Sequence, residues 1–426
     1  MRIAIISIII TLFAFGSCIA GKPIGVLIND DYVNAVKLPS DQEDFFRKCC
    51  NSTELILQLQ KNIGAISPAI GQLKKIQTIT LIEPVDSDND GKGYNLTIPL
   101  ELLNLPNLQT LKIYGFLNLR LPSGVAASQI HSHIERIIAL DWGKNSIPFL
   151  INLAHLRQLI LRGGQGAELP VDFSRLHNLR ELQIEGNTEP LALGESLCGL
   201  AKLERLELST QFRSSLPRCL ERLTRLKSVT IASCRQETLP DNTKIYFPIT
   251  LASLPNLEEL NLWDTGRIEM PNSSYGFKKL RKLTISGYPD RNLYRICAVE
   301  TARGLNLDAV VGYPNLQKII LRTMSVLNHD TSAPTYSDVE KDNGMGDYDG
   351  PILGIRSFIG LVDAAWKQGK LHSLSIIDMW EPMDGDRELI TVWKRPSSRD
   401  KSGNTIPKND VHWMLGKERE KVSSSK

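Results

Sequence analysis

Apolar residues recur at one spacing along most of the chain. In residues 200–208 they stand at Leu200, Leu203, Leu206 and Leu208: two steps of three, then one of two. A step of three suits a segment that turns. A step of two suits a strand that buries alternate residues. The same frame appears upstream at Leu176, Leu179, Leu182 and Ile184, and downstream at Leu223, Leu226, Val229 and Ile231. Each recurrence predicts one turn followed by one short strand, and the strands repeat at a near-constant interval.

With the first leucine of each frame as its start, the units begin at Leu73, Leu105, His131, Leu153, Leu176, Leu200, Leu223, Leu254, Phe277 and Tyr313, with a degenerate further unit near Gln368. From His131 to Leu223 the steps are 22 to 24 residues. Longer steps follow Leu73, Leu223 and Phe277 and mark insertions. Leu-Pro pairs such as Leu169-Pro170 and Leu216-Pro217 follow several strands, where the chain leaves the sheet and needs no ladder donor. Such a period predicts a stacked repeat architecture with capped ends.

The stretch LPRCLERLTRLKSVTIASC, residues 216–234, resembles the leucine-rich repeat family in its LPxxLxxLxxLxxLxLxxN form. The resemblance covers roughly residues 63–325. It implies an α/β fold: a curved solenoid of about ten repeats plus caps, with a parallel β-sheet on the concave face. It also implies a protein as partner. Asn187 and Cys234 fit the family's buried ladder position, whereas Phe116, Gly164, Gln211, Thr265 and Tyr288 depart from it.

In such strands the residues flanking the last two apolar positions point outward. The frame therefore places Tyr114, Ile138, Leu140 and Ile160 together over three neighbouring strands. It places Arg162, Glu185 and Glu207 in a mixed charged strip beside them, with Glu181 and Arg205. Trp263 is a further outward anchor. An apolar cluster rimmed by charge suits protein binding. The alternative is that the degenerate unit at His131 shifts the register and makes Ile138 core.

The N-terminus reads as an export signal. Arg2 precedes an apolar run from Ile3 to Phe15, and cleavage after Ala20 leaves Cys18 and Ala20 at the −3 and −1 positions. An uncleaved anchor or a lipid on Cys18 is the alternative. Residues 1–20 are thus assigned as signal peptide, 21–62 as an N-terminal helical cap, and 63–327 as the repeats. Residues 328–350 form an acidic, flexible loop, 351–395 a C-terminal cap with the degenerate repeat, and 396–426 a disordered basic tail. Vicinal Cys49 and Cys50 lie in the first cap, where one of them can pair elsewhere. Cys198 and Cys219 fall in adjacent repeats outside the sheet. The reading favours free thiols there over a bridge.

Net charge is +3, from 50 basic and 47 acidic residues, which points away from nucleic acid. No run after the signal is apolar enough to span a bilayer, so no membrane insertion is expected once the signal is removed. Asp86, Asp88 and Asp90, followed by Gly91, match the opening half of an EF-hand calcium loop. Thr97 stands where the bidentate Glu belongs, so the reading favours a solvated acidic insertion and no cofactor, with calcium as the alternative. No HExxH, GxSxG or P-loop occurs, and no catalytic residue is assigned. These features predict a non-catalytic, secreted or extracytoplasmic protein that recognises a protein partner, in a host or cell-surface setting. The alternative is a membrane-anchored structural or adhesive surface protein.

Overall fold

The computed structural model describes residues 23–28, 31–84, 93–115, 117–143, 150–165, 173–187, 195–209, 218–232, 249–263, 276–286, 313–322, 325–327, 352–354, 373–378 and 389–394. At some of these, Trp263 and Asn187 among them, only the backbone is described. The chain divides into two compact units, Met1–Pro170 and Val171–Lys426.

The first unit opens with an antiparallel pair, β1 (Pro23–Ile28) and β2 (Asp31–Lys37). Helix α1 (Gln42–Lys48) follows. Asp41 caps it by accepting from Asp44 N at 3.2 Å, and Phe45 and Phe46 are its buried face. The helix stops there. Residues 54–58 form strand β3 (Glu54–Gln58) rather than more helix, because Leu55 and Leu57 alternate inward. The cap is therefore not all helical, and the repeat frame starts one unit earlier than leucines alone reveal. Cys49, Ser52, Leu55 and Leu57 keep the three-three-two spacing, are all buried, and close the turn with Ser52 N donating to Cys49 O at 2.9 Å.

The frame then repeats through β4 (Thr78–Ile82), β6 (Thr110–Tyr114), β8 (Arg136–Gly143) and β9 (Gln158–Gln165). Two further strands, β5 (Tyr94–Thr97) and β7 (Leu117–Arg120), make a small separate parallel sheet. The main sheet of this unit runs β1-β2-β3-β4-β6-β8-β9 and is parallel from β2 onward. Short helix α2 (Leu100–Leu103) buries Leu102 and Leu103 beneath it.

The second unit carries β10 (Glu181–Asn187), β11 (Arg205–Ser209), β12 (Ser228–Ala232), β13 (Glu259–Trp263), β14 (Lys282–Ser286) and β15 (Lys318–Arg322), with α3 (Ile249–Ala252) between β12 and β13. A two-stranded pair, β16 (Ser325–Leu327) and β17 (Ile352–Gly354), lies apart from the sheet. Strand β18 (Ser373–Asp378) pairs with β15 in parallel, and β19 (Leu389–Lys394) ends the order antiparallel to β18.

Both steps of the spacing have a visible cause. The step of three is a turn closed by one bond from the second apolar residue to the first: Ile76 N to Leu73 O, Leu203 N to Leu200 O, Leu226 N to Leu223 O, at 2.9 to 3.2 Å. The step of two is the strand pleat. Leu182, Leu206, Val229, Leu260, Leu283 and Ile319 lie opposite one another along the second unit, each 1% exposed or less. At about 25 cal/mol per Å² of apolar area, each such side chain contributes roughly 1.5–3 kcal/mol. This is a leucine-rich repeat solenoid built on parallel strands.

The unit at His131 departs from the frame at its first position only. His131 is exposed, and Ile130 and Ser132 are buried instead. Asn104 takes over the turn: its Oδ1 accepts from His131 N at 2.7 Å and its Nδ2 donates to Gln129 O at 2.9 Å. From Ile134 onward the frame holds, with Ile134, Ile137 and Ala139 at 0% exposure. The register does not slip, so Ile138 stands on the outward face and not in the core.

The favoured reading of Cys198 and Cys219 as free thiols is corrected. They form a disulfide, with Cα atoms 5.7 Å apart. Each sits in a 3₁₀ turn, Glu195–Gly199 and Arg218–Arg222, and stacking of consecutive repeats brings those turns side by side. Cys49 is also disulfide-bonded, and Cys50 is free.

Candidate functional site

In the first unit the residues between the buried leucines face away from the core. Register sets Lys112 opposite Ile138, and Ile138 opposite Ile160. One pleat further along, Ile82 lies opposite Tyr114, Tyr114 opposite Leu140, and Leu140 opposite Arg162. The structure thus brings Tyr114, Ile138, Leu140 and Ile160 together over β6, β8 and β9, with Arg162 at their edge. Tyr114, Ile138 and Ile160 are half-buried, and Arg162 is exposed. Leu140 is only 8% exposed, flanked on its row by the larger Tyr114 and Arg162, so it offers less surface than the frame suggests.

Burial pushes the Tyr114 hydroxyl above its ordinary pKa, and the Arg162 guanidinium opposes that rise. Just past Tyr114, Gly115 adopts φ +92°, and the Glu83 side chain lies across it. A Cβ on residue 115 would stand 2.3 Å from Glu83 Cδ, so the glycine both permits the backbone conformation and admits the carboxylate.

Lys112 and Arg136 belong with this cluster, although the spacing marks them only as members of outward rows. Lys112 neighbours Ile138 across the β6–β8 ladder. Arg136 lies two residues before Ile138 on the same face, between Thr110 and Gln158. Nothing in one strand's sequence reveals this, because the grouping runs across strands.

The second unit presents a different face. Glu185 and Glu207 are half-buried on β10 and β11. Gln183 Nε2 donates to Glu185 Oε1, which ties that carboxylate down on its own strand. Arg205 Nε lies 3.9 Å from Glu181 Oε1, and Lys282 Nζ 3.5 Å from Glu259 Oε2. Asn261 Nδ2 donates to Thr230 Oγ1 at 3.1 Å. The surface is polar and its charges pair between neighbouring strands. Trp263 takes the register position between Ala232 and Ser286, and its side chain lies outside the described residues.

Asparagines at the turns form a device that the family's ladder position does not anticipate. Asn107 Nδ2 donates to Lys74 O at 2.7 Å, Asn256 Nδ2 to Thr224 O at 2.8 Å, and Asn315 Nδ2 to Lys278 O at 2.5 Å. Each reaches back to the equivalent carbonyl of the preceding repeat. The repeated Pro-Asn-Leu at 106–108, 255–257 and 314–316 is the signal that could have found them. The side chains of the ladder position itself, from Phe116 to Tyr288, lie outside the described residues.

Asp86, Asp88 and Asp90 also lie outside the described residues. Among the described residues, no group of three or more His, Cys, Asp or Glu is placed to hold a metal ion. Among the same residues, no helix is long and apolar enough to cross a membrane. His133 and His155 stack with ring centroids 5.8 Å apart, at equivalent turn positions of adjacent repeats.

No family model and no curated protein matches the sequence. Among solved structures, an internalin from Listeria monocytogenes is similar at 14% identity and a TM-score of 0.41, over 83% of this chain and 91% of that one. A leucine-rich repeat protein of Leptospira interrogans is similar at 19% identity and a TM-score of 0.34, over 67% of this chain and 86% of that one. The fold assignment rests on the chain's own frame and strand register.

Proposed function

Because the chain folds as a leucine-rich repeat solenoid, in general a protein-binding scaffold, we propose that it is an exported, non-catalytic module that binds a protein through the outward face of its sheet. The observation that carries this reading is the meeting of Tyr114, Ile138, Leu140 and Ile160 over β6, β8 and β9. Covering half-buried apolar groups that already sit on a rigid sheet removes their remaining surface from water, at little ordering cost to this side of the interface. Arg162 supplies a polar edge to that cluster. Glu185, Glu207 and Trp263 are further contacts on the second unit's face.

Export is supported by the signal-like residues 1–20 and by a cystine between two repeats, since disulfides persist in oxidising compartments. The setting is outside the cytoplasm, at a host or neighbouring cell surface.

Affinity capture with the chain lacking residues 1–20 tests the reading, run beside Ile138→Ser/Ile160→Ser. Both substitutions are at outward positions, so the variant should keep its fold by circular dichroism. A protein captured by the parent and lost by the variant supports the site. A protein held equally by both moves the site elsewhere on the molecule. Mature protein found with lipid on Cys18 would favour an anchored surface protein instead.

A further inference from the structure

Among the described residues, the outward rows of β4, β6, β8 and β9 carry Lys112, Arg136 and Arg162 and not one carboxylate. Asp141, next after Leu140 in β8, has its side chain outside the described residues, and Glu54 stands on β3 opposite Thr78, at the far edge of these rows. Two other nearby carboxylates are engaged off the rows. Glu135 precedes β8 and pairs with Arg157 at 3.5 Å, and Glu83 follows β4 and lies across Gly115. Lys112 and Arg136 differ in this from Arg205 and Lys282 of the second unit, which meet glutamates on the same rows.

We propose that the partner segment taken by the first unit's face is acidic as well as apolar: a short extended or loop stretch of protein in which Asp or Glu alternates with aliphatic or aromatic side chains. The proposal rests on the binding reading above and names the chemistry of its partner. Covering Lys112 and Arg136 with a neutral apolar surface strips water from two cations without return. Carboxylates set beside the apolar anchors offset that cost and also speed encounter. Four strands about 4.8 Å apart span roughly 14 Å, which an extended segment of about four or five residues covers.

The same signs and apolarity also describe an anionic membrane surface, but the geometry disfavours it. Leu140 at 8% exposure lies down in the sheet, and Ile138 and Ile160 are half-buried. Side chains that do not protrude cannot enter a bilayer. They can only be covered by something that comes to them.

Selection of displayed random peptides on the chain lacking residues 1–20 tests the proposal, followed by binding of the enriched peptides measured by fluorescence anisotropy. The expected peptides combine Asp or Glu with Leu, Phe or Tyr. They should bind Lys112→Glu/Arg136→Glu at least about tenfold more weakly. Their affinity should fall as salt rises from about 0.05 to about 0.5 M. Exchanging their acidic residues for lysine should restore binding to that charge-reversed variant, which shows that the variant is folded. No enrichment, or enrichment of neutral or basic peptides, overturns the proposal. So does binding that Lys112→Glu/Arg136→Glu leaves unchanged: the binding reading then survives if Ile138→Ser/Ile160→Ser still abolishes the signal, and falls too if it does not. Co-sedimentation with phosphatidylserine vesicles in place of peptide binding assigns the face to a membrane surface and also overturns it.

Discussion

Glu204 accepts a 2.8 Å hydrogen bond from Lys227 Nζ in the next repeat, while Arg180 of the preceding repeat lies 3.7 Å from its other oxygen. The pairing joins three consecutive repeats just before their strands. The Lys227 hydrogen bond holds the Glu204 carboxyl below its ordinary pKa; slight burial opposes this, and the charges of Lys227, Arg180 and Arg225 add to it. A depressed folded-state pKa stabilises through the ionised form. The contribution is complete above the unfolded-state value and is lost as pH falls through the folded-state value. The side chains are partly exposed, so Lys227→Ala should cost less than about 1 kcal/mol at neutral pH. Urea titrations of parent and variant should differ there and converge as pH falls through the folded-state value and the carboxylate takes up its proton.

The Cys198–Cys219 bridge closes a loop across two neighbouring repeats, with a sequence separation of 21. Cross-linking a loop of that length removes unfolded-state entropy equivalent to about 3 kcal/mol. Cys198→Ser/Cys219→Ser should lower the melting temperature, and a reductant should lower that of the parent at least as far, because it also opens the Cys49 disulfide. A variant melt equal to that of the oxidised parent would show the bridge to be energetically idle.

Gly115 carries both a positive φ and the Glu83 side chain against its open face. Gly115→Ala should therefore destabilise by about 1–3 kcal/mol through backbone strain, with steric cost added. Glu83→Ala in the same background should return only the steric part, because φ stays unfavourable. A double-mutant cycle on unfolding free energies separates the two. Full recovery in the double variant would mean the backbone relaxes freely.

Asn107, Asn256 and Asn315 each tie one repeat's turn to the last. Their positions are exposed, so water can replace the amide, and Asn107→Ala should cost about 0.5–1 kcal/mol. Asn107→Asp should cost more, because a carboxylate oxygen then faces the Lys74 carbonyl. Chemical denaturation of the two variants gives the order directly.

The solenoid was legible because its cause is local. A leucine every third residue makes a turn closed by one hydrogen bond, and the last step of two makes a strand, so Leu203 and Leu206 declare their roles without their neighbours. The same logic failed where other residues did the work. Cys49 and Ser52 fill leucine positions and hid the first unit. Asn104 replaced the turn at His131 with a side-chain clamp. The outward face was legible in rows but not across them: Ile138 meets Ile160 because two strands share a register, whereas the basic company of Lys112 and Arg136 appears only when the rows are laid side by side. The cystine was hidden for the same reason, since Cys198 and Cys219 are one repeat apart in space and show no short spacing in sequence.

Tyr114 reports on this face. Burial raises its pKa and Arg162 restrains the rise, so Arg162→Gln should raise it further. A raised folded-state value means the neutral phenol is favoured by the fold. The associated stability is present below the unfolded-state pKa, near 10, and is lost as pH climbs through the folded-state value. Absorbance titration of the phenolate, parent minus Tyr114→Phe, isolates this residue from the other tyrosines. A partner that covers the face adds desolvation and should shift the titration upward again. A bound peptide that leaves it unmoved does not cover Tyr114, and its binding site then lies off the β6–β8–β9 cluster.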